Sequence, residues 1–256
     1  IPTITSLKIT NQVEELLEDI LIRMELKPGV SEVRETAIAE LGSGSTREID
    51  ETELALKLNS ERLANTIELE PIELLTEISS QGETLLIQSN PIDLLAYNEW
   101  NANSGLLHLL AAFVQPNHPA LVPLMDKTKN ILEEMTGSPS LDGYQSKDPG
   151  RVRAMAEALY RACQALGITY INPPASFEKT GHKIRTTEQI LKEKMGTCLD
   201  LTILMASAME QMGFHPWVIL VKGHAFPGVW LVERNLPSPF TDNRWKPLKD
   251  QQAENA

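Results

Sequence analysis

Charge and aromatic residues are spread so unevenly along this chain that one uniform core cannot account for it. Residues 1–98 carry 19 acids and 7 bases, whereas residues 99–256 carry 16 of each. The formal net charge of −12 therefore belongs wholly to the first stretch. That stretch holds one of the thirteen aromatic residues, Tyr97. Such a break predicts two domains, 1–98 and 99–256, with a boundary near Tyr97–Leu106, and 256 residues suit two modest domains of ~100–200 residues. Neither part is basic, which argues against direct nucleic-acid binding by this chain. No apolar run approaches the ~20 residues of a membrane helix, so no membrane partner is expected. Two cysteines, Cys163 and Cys198, do not make a disulfide framework and fit a reducing, cytoplasmic setting. A start at Ile1, without an initiator Met or a secretory leader, reads as a cut inside a longer protein.

The first part reads as strands. Ile20, Ile22, Met24 and Leu26 recur at period two, and Lys27-Pro28-Gly29 supplies a turn. Thr66-Ile67-Glu68-Leu69-Glu70 alternates likewise. Leu85-Leu86-Ile87 follows the turn-like Ser79-Ser80-Gln81-Gly82, and Ile92, Leu94 and Leu95 extend it. Gly42-Ser43-Gly44-Ser45 marks a loop. Short strands separated by turns predict an antiparallel sandwich. Helix competes at Val13–Leu26 and Ile72–Ile78, where Glu and Leu are frequent. Residues 1–98 contain no His, no Cys and no Gly-rich phosphate loop, so they read as a spacer or binding domain.

The second part reads as helices followed by strands. Asn117-His118-Pro119 starts a helix through Met135, with Asn as the cap. Asp148-Pro149 opens another, carrying Val152, Met155, Ala156, Leu159 and Cys163 at three- and four-residue steps until Gly167. Cys163 on that apolar stripe reads as a buried small hydrophobe. Thr186 and Gln189 fit a capping box. After Gly196-Thr197, a helix runs from Cys198 to Gly213. Trp217–Val221 and Ala225–Val232 read as two strands around Gly223.

The chemistry concentrates at two element starts. Cys198 falls in the first turn of its helix, where unpaired N–H groups and the positive end of the helix dipole favour a thiolate. The same N–H groups suit an oxyanion formed when sulfur attacks a carbonyl. His224 begins a strand 26 residues on and can serve as general base and acid if that strand packs beside the helix start. His108, His118 and His182 lack metal-ligand spacing, no zinc pattern or EF-hand loop is present, and no metal is expected.

Gly196-Thr197-Cys198-Leu199-Asp200-Leu201-Thr202, then Gly223-His224-Ala225-Phe226 and Val229-Trp230-Leu231, resemble the transglutaminase-like branch of the papain-type cysteine fold. Longer stretches resemble a domain found in large bacterial superfamily-1 helicase-like proteins. They are residues 110–119, Gly143-Tyr144-Gln145-Ser146, residues 168–177 and Lys183-Ile184-Arg185-Thr186. Together they span about residues 93–235. The resemblance implies an α+β fold: a transglutaminase-like domain preceded by an antiparallel β-sandwich. It implies catalytic Cys198 and His224 and a third acid on a following strand. Glu233, Asp242 and Asp250 follow His224, none in a β-rich run; Asp242 is the candidate, with a position beyond Ala256 as the alternative. Gln145 and Asn172 are candidate oxyanion or polar supports, and turn chemistry explains both equally well. Asp200 is read as serving the helix N-terminus.

The expected activity is acyl transfer or amide hydrolysis through a thioester, on a peptide or protein substrate, without a cofactor. A helicase-like region of the same parent protein is the expected partner. The alternative is a non-catalytic module that positions that region.

Overall fold

The computed structural model describes residues 4–101, 107–172, 182–235 and 241. The fold is α+β, and contacts divide the chain into two units, Ile1–Tyr97 and Asn98–Ala256.

In the first unit, strands β1 (Ser6–Thr10) and β4 (Thr46–Asp50) form an antiparallel ribbon. Strands β2 (Leu17–Lys27), β3 (Arg34–Leu41), β5 (Glu70–Ser80) and β6 (Glu83–Leu94) form an antiparallel sheet in the order β3-β2-β5-β6. Period two decides the competition with helix. Ile20, Ile22, Met24 and Leu26 are all buried, while Arg23 and Glu25 point the other way, so a strand separates them cleanly. A helix over the same residues would wrap charge around its whole circumference. Leu7, Ile9 and Ile49 of the ribbon pack with Ile20, Ile22 and Ile78 of the sheet in one core.

Residues 66–69 depart from the expected strand. Helix α1 (Ser60–Ala64), capped by Asn59, precedes them. Thr66 is fully buried, its hydroxyl donates to the Arg62 carbonyl, and its own carbonyl accepts from Tyr97 N–H. These bonds end a helix, and only Glu70 enters a strand.

The second unit begins with β7 (Glu99–Trp100) and a 3-10 helix at Leu107–Phe113. Helices α2 (Val122–Thr136) and α3 (Pro149–Ala165) follow. The expected helix start at Asn117 shifts. His118, not Asn117, accepts from Ala120 N–H through Nδ1, and a 3-10 turn at Pro119–Leu121 leads into α2. Asp148 caps α3 as its sequence suggests, with Gly150 N–H donating to Oδ1 at 2.8 Å. Next come β8 (Thr169–Tyr170), β9 (His182–Lys183), α4 (Thr187–Glu193) and β10 (Met195–Gly196). Helix α5 (Cys198–Gln211) and the hairpin β11 (Pro216–Val221) with β12 (His224–Val229) complete the described elements.

Helix α5 is the organising element. Its residues are apolar on nearly every side, the pattern of a helix buried all round. Leu204, Ala208 and Met209 join Leu124 and Leu132 of α2 and Met155 and Leu159 of α3 in one core. Leu204→Ala there costs about 2–5 kcal/mol through lost burial and the cavity left behind. The expected second strand is shorter than its β-rich run. It ends at Val229, because the Trp230 carbonyl turns aside to accept from the Tyr144 hydroxyl at 3.0 Å. Among the described residues, no helix is long and apolar enough to cross a membrane.

Candidate active site

Cys198 is the first residue of α5. Thr197 caps the helix: Asp200 N–H donates to Thr197 Oγ1 at 3.3 Å, and Thr197 N–H donates to Asp200 Oδ2 at 2.9 Å. The box satisfies the third N–H of the helix. Among the described residues, the N–H groups of Cys198 and Leu199 have no acceptor, and both sit at the positive end of the helix. Gly196 makes the entry possible. A Cβ there would lie 3.0 Å from Leu201 Cδ2 and 3.1 Å from Asp200 Cβ. Half-buried Cys198 packs against a cluster of Trp100, Leu110, Ile184, Leu199, Ile203 and Ala225.

Asp200 is fully buried and its carboxylate accepts three hydrogen bonds. Arg185 N–H reaches Oδ1 at 2.8 Å, while Thr197 N–H at 2.9 Å and Arg185 Nη1 at 3.1 Å reach Oδ2. Asp200 bonds the Thr197 N–H at the helix start, the place the sequence reading assigned it.

His224 opens β12, and Ala225 beside it belongs to the cluster that Cys198 touches. The strand thus starts next to the helix start. Alternation puts His224 and Phe226 on the exposed face and Ala225 on the buried one. The His224 and Phe226 rings lie 6.2 Å apart, stacked at 28°. Among the described residues, no hydrogen bond links the His224 ring to Cys198 Sγ.

The supports expected from sequence fall in different places. Strands β8 and β10 run parallel, with Thr169 opposite Met195 and Tyr170 opposite Gly196. Ile171 N–H then donates to the Gly196 carbonyl at 2.9 Å. Asn172 follows Ile171, the last residue bonded to the ribbon, and Cys198 follows the Thr197 cap on the other side. Gln145 is elsewhere. Its neighbour Gly143 sits against the Met212 and Gly213 carbonyls, so close that a Cβ would approach them to 3.0 and 3.1 Å. That is the far end of α5, ~20 Å from Cys198 at 1.5 Å per residue. The structure does not bring Gln145 to the cysteine. Asp242 lies outside the described residues.

One residue near Cys198 escapes sequence reasoning. His182 stands directly opposite Trp100 in the β7–β9 pair, with ring centroids 6.0 Å apart. Trp100 and Ile184 both belong to the cluster that Cys198 packs against. The only sequence signal is the alternation of His182 with Ile184, and it points nowhere until β7 is known as the partner. A cavity of about 460 Å³ lined by Trp217, Trp230, Glu210 and Arg234 shares Leu110 and Val218 with the cluster, but Cys198 and His224 do not line it. Among the described residues, no group of His, Cys, Asp or Glu could hold a metal ion.

No protein-family model matches the chain, and no curated protein matches it significantly.

Proposed function

We propose that residues 99–256 form a transglutaminase-like cysteine domain that transfers an acyl group through a thioester, behind an N-terminal β-sandwich. The observation that carries this reading is the placement of Cys198 at the first residue of a capped helix, beside two N–H groups without acceptors. Cys198 is half-buried and sits at the positive end of the helix. The resemblance of Gly196–Thr202 and Gly223–Phe226 to the transglutaminase pattern supplies the reaction class.

In this reading the Cys198 thiolate attacks an amide carbonyl of a peptide or protein. The carbonyl electrons move to oxygen, where the Cys198 and Leu199 N–H groups stabilise them. Asn172, the residue after ribbon-bonded Ile171, is the candidate amide donor to the same oxygen. Collapse expels the amine, protonated by His224, and leaves a thioester. Water or a second amine, deprotonated by His224, then releases the acyl group and restores the thiol. The imidazole has to turn from Phe226 toward sulfur, a rotamer change open to an exposed side chain. The neighbouring helicase-like region of a larger parent protein is the proposed partner.

The missing hydrogen bond between Cys198 and His224 favours a second reading, a non-catalytic positioning module. One experiment separates the two. The chain is incubated with glutamine-containing peptides and hydroxylamine, and hydroxamate is measured for wild type, Cys198→Ser and His224→Ala. Hydroxamate that depends on both residues supports catalysis. Its absence from the wild type, with the chain folded, leaves the module.

A further inference from the structure

We infer that Arg185 is a positioning residue for Cys198, acting through the buried carboxylate of Asp200. The inference rests on the cysteine reading above and extends it to a residue outside the cysteine–histidine pair.

Asp200 brings a negative charge to the first turn of α5, two residues from the sulfur whose anion the helix start favours. Its side chain is 1% exposed, so water does not screen it. Left alone, that charge would oppose a thiolate at Cys198 and cancel the positive end of the helix. Arg185 offsets it. The guanidinium donates to Asp200 Oδ2 at 3.1 Å, while the Arg185 backbone N–H donates to Oδ1 at 2.8 Å. One residue therefore contributes a charge and a mechanical tie. The tie fastens the α5 start to the segment between β9 and α4. That segment is itself held: Asn98 Nδ2 donates to the Ile184 carbonyl at 3.0 Å, and Thr186 and Gln189 close the α4 capping box.

Further ionisable groups stand on the elements around the helix start, including Glu99 of β7, Lys183 of β9, Lys194 before β10 and Lys222 before β12. Glu193 of α4 takes Arg185 Nε at 3.3 Å from a more exposed position. His224 stands on the outer face of β12, and His182 sits beside Trp100. Arg185 is the cation that meets the buried acid directly. A helix start fastened by Thr197 and Asp200 alone would keep its geometry but carry the acid uncompensated. Arg185 thus makes the box compatible with an anionic sulfur.

The test is a charge cycle read by iodoacetamide alkylation of the full chain, with Cys163 as the internal control and peptide mass spectrometry as the readout. Arg185→Gln is expected to slow Cys198 alkylation about five- to tenfold at pH near 7 and to change it much less at pH near 10. Arg185→Lys recovers most of the loss. Adding Asp200→Asn to Arg185→Gln restores the neutral-pH rate to within about twofold of wild type, because no acid then needs offsetting. A purely structural tie predicts the reverse, since the double variant loses the guanidinium–carboxylate contact and departs furthest from wild type. Equal rates for wild type and Arg185→Gln at both pH values, or a double variant slower than either single, overturns the inference. Circular dichroism melts confirm folding, and if Arg185→Gln does not fold, the comparison of Arg185→Lys with Asp200→Asn decides the sign. Failure of the cysteine reading looks different, because wild-type Cys198 would then alkylate no faster than an ordinary thiol.

Discussion

Two cysteines in two helices of one unit show how place along a helix sets chemistry. Cys163 lies near the end of α3, beside fully buried Ala162, and packs against the helical core. Burial pushes its thiol up from an ordinary 9.0 to about 12, since a thiolate there would lose its hydration. Cys198 begins α5. Its backbone N–H is one of the orphan donors of a helix start, and a short ribbon and a glycine bring the chain in. Both side chains are partly buried, so exposure alone does not separate them. What separates them is the backbone around each: a run of satisfied amides for Cys163, unmet N–H groups for Cys198.

The largest expected effect is at the nucleophile. Cys198→Ser is expected to lower hydroxamate formation on the order of 10³-fold or more, while Cys163→Ser leaves it unchanged. Equal losses from the two variants would erase the distinction. His224→Ala follows, with a loss of about 10²–10⁴-fold in kcat and a smaller change in KM, as removal of a proton-transfer group does. Reactivity sharpens the contrast next. Iodoacetamide at neutral pH is expected to label Cys198 about 10²-fold faster than Cys163, and peptide mapping of a time course measures the ratio.

A smaller effect is thermodynamic. Between pH 9 and about 12 the unfolded Cys163 thiol ionises while the folded one stays protonated, so the unfolded state binds fewer protons. The stability contribution is complete below pH 9 and is lost as pH rises toward about 12, at no more than ~1.4 kcal/mol per pH unit. Urea midpoints of wild type and Cys163→Ala are expected to converge as pH rises through that window. Parallel lines would contradict burial of the thiol. The smallest change expected is from Asn172→Ala, which removes the candidate amide donor and costs about tenfold in kcat. The same substitution at Gln145, at the other end of α5, is expected to leave the rate unaltered.

Some of this site can be read from neighbouring residues alone. Gly196-Thr197 before Cys198, with Asp200 three residues after Thr197, specify a capped helix start, because every partner of that box lies within one turn. Asp148-Pro149 and the Thr186–Gln189 pair are legible for the same reason, as is the period-two burial of Ile20 to Leu26. Where local signals mislead, a distant group has taken over a backbone atom. Thr66 gives its carbonyl to Tyr97, and Trp230 gives its carbonyl to Tyr144, so neither continues the strand its neighbours suggest.

Local residues suffice to specify a cysteine that opens a capped helix and a histidine that opens a later strand. What surrounds the two depends on long-range packing. It paired Thr169 and Tyr170 with Met195 and Gly196 in a two-residue parallel ribbon, and set Arg185 onto Asp200 across fifteen residues. It also carried Gln145 to the wrong end of α5 and turned His224 toward Phe226. A cap closes within one helical turn and is written in four residues. A strand register or a buried ion pair forms only when distant segments compete for the same core, and no local window contains that competition.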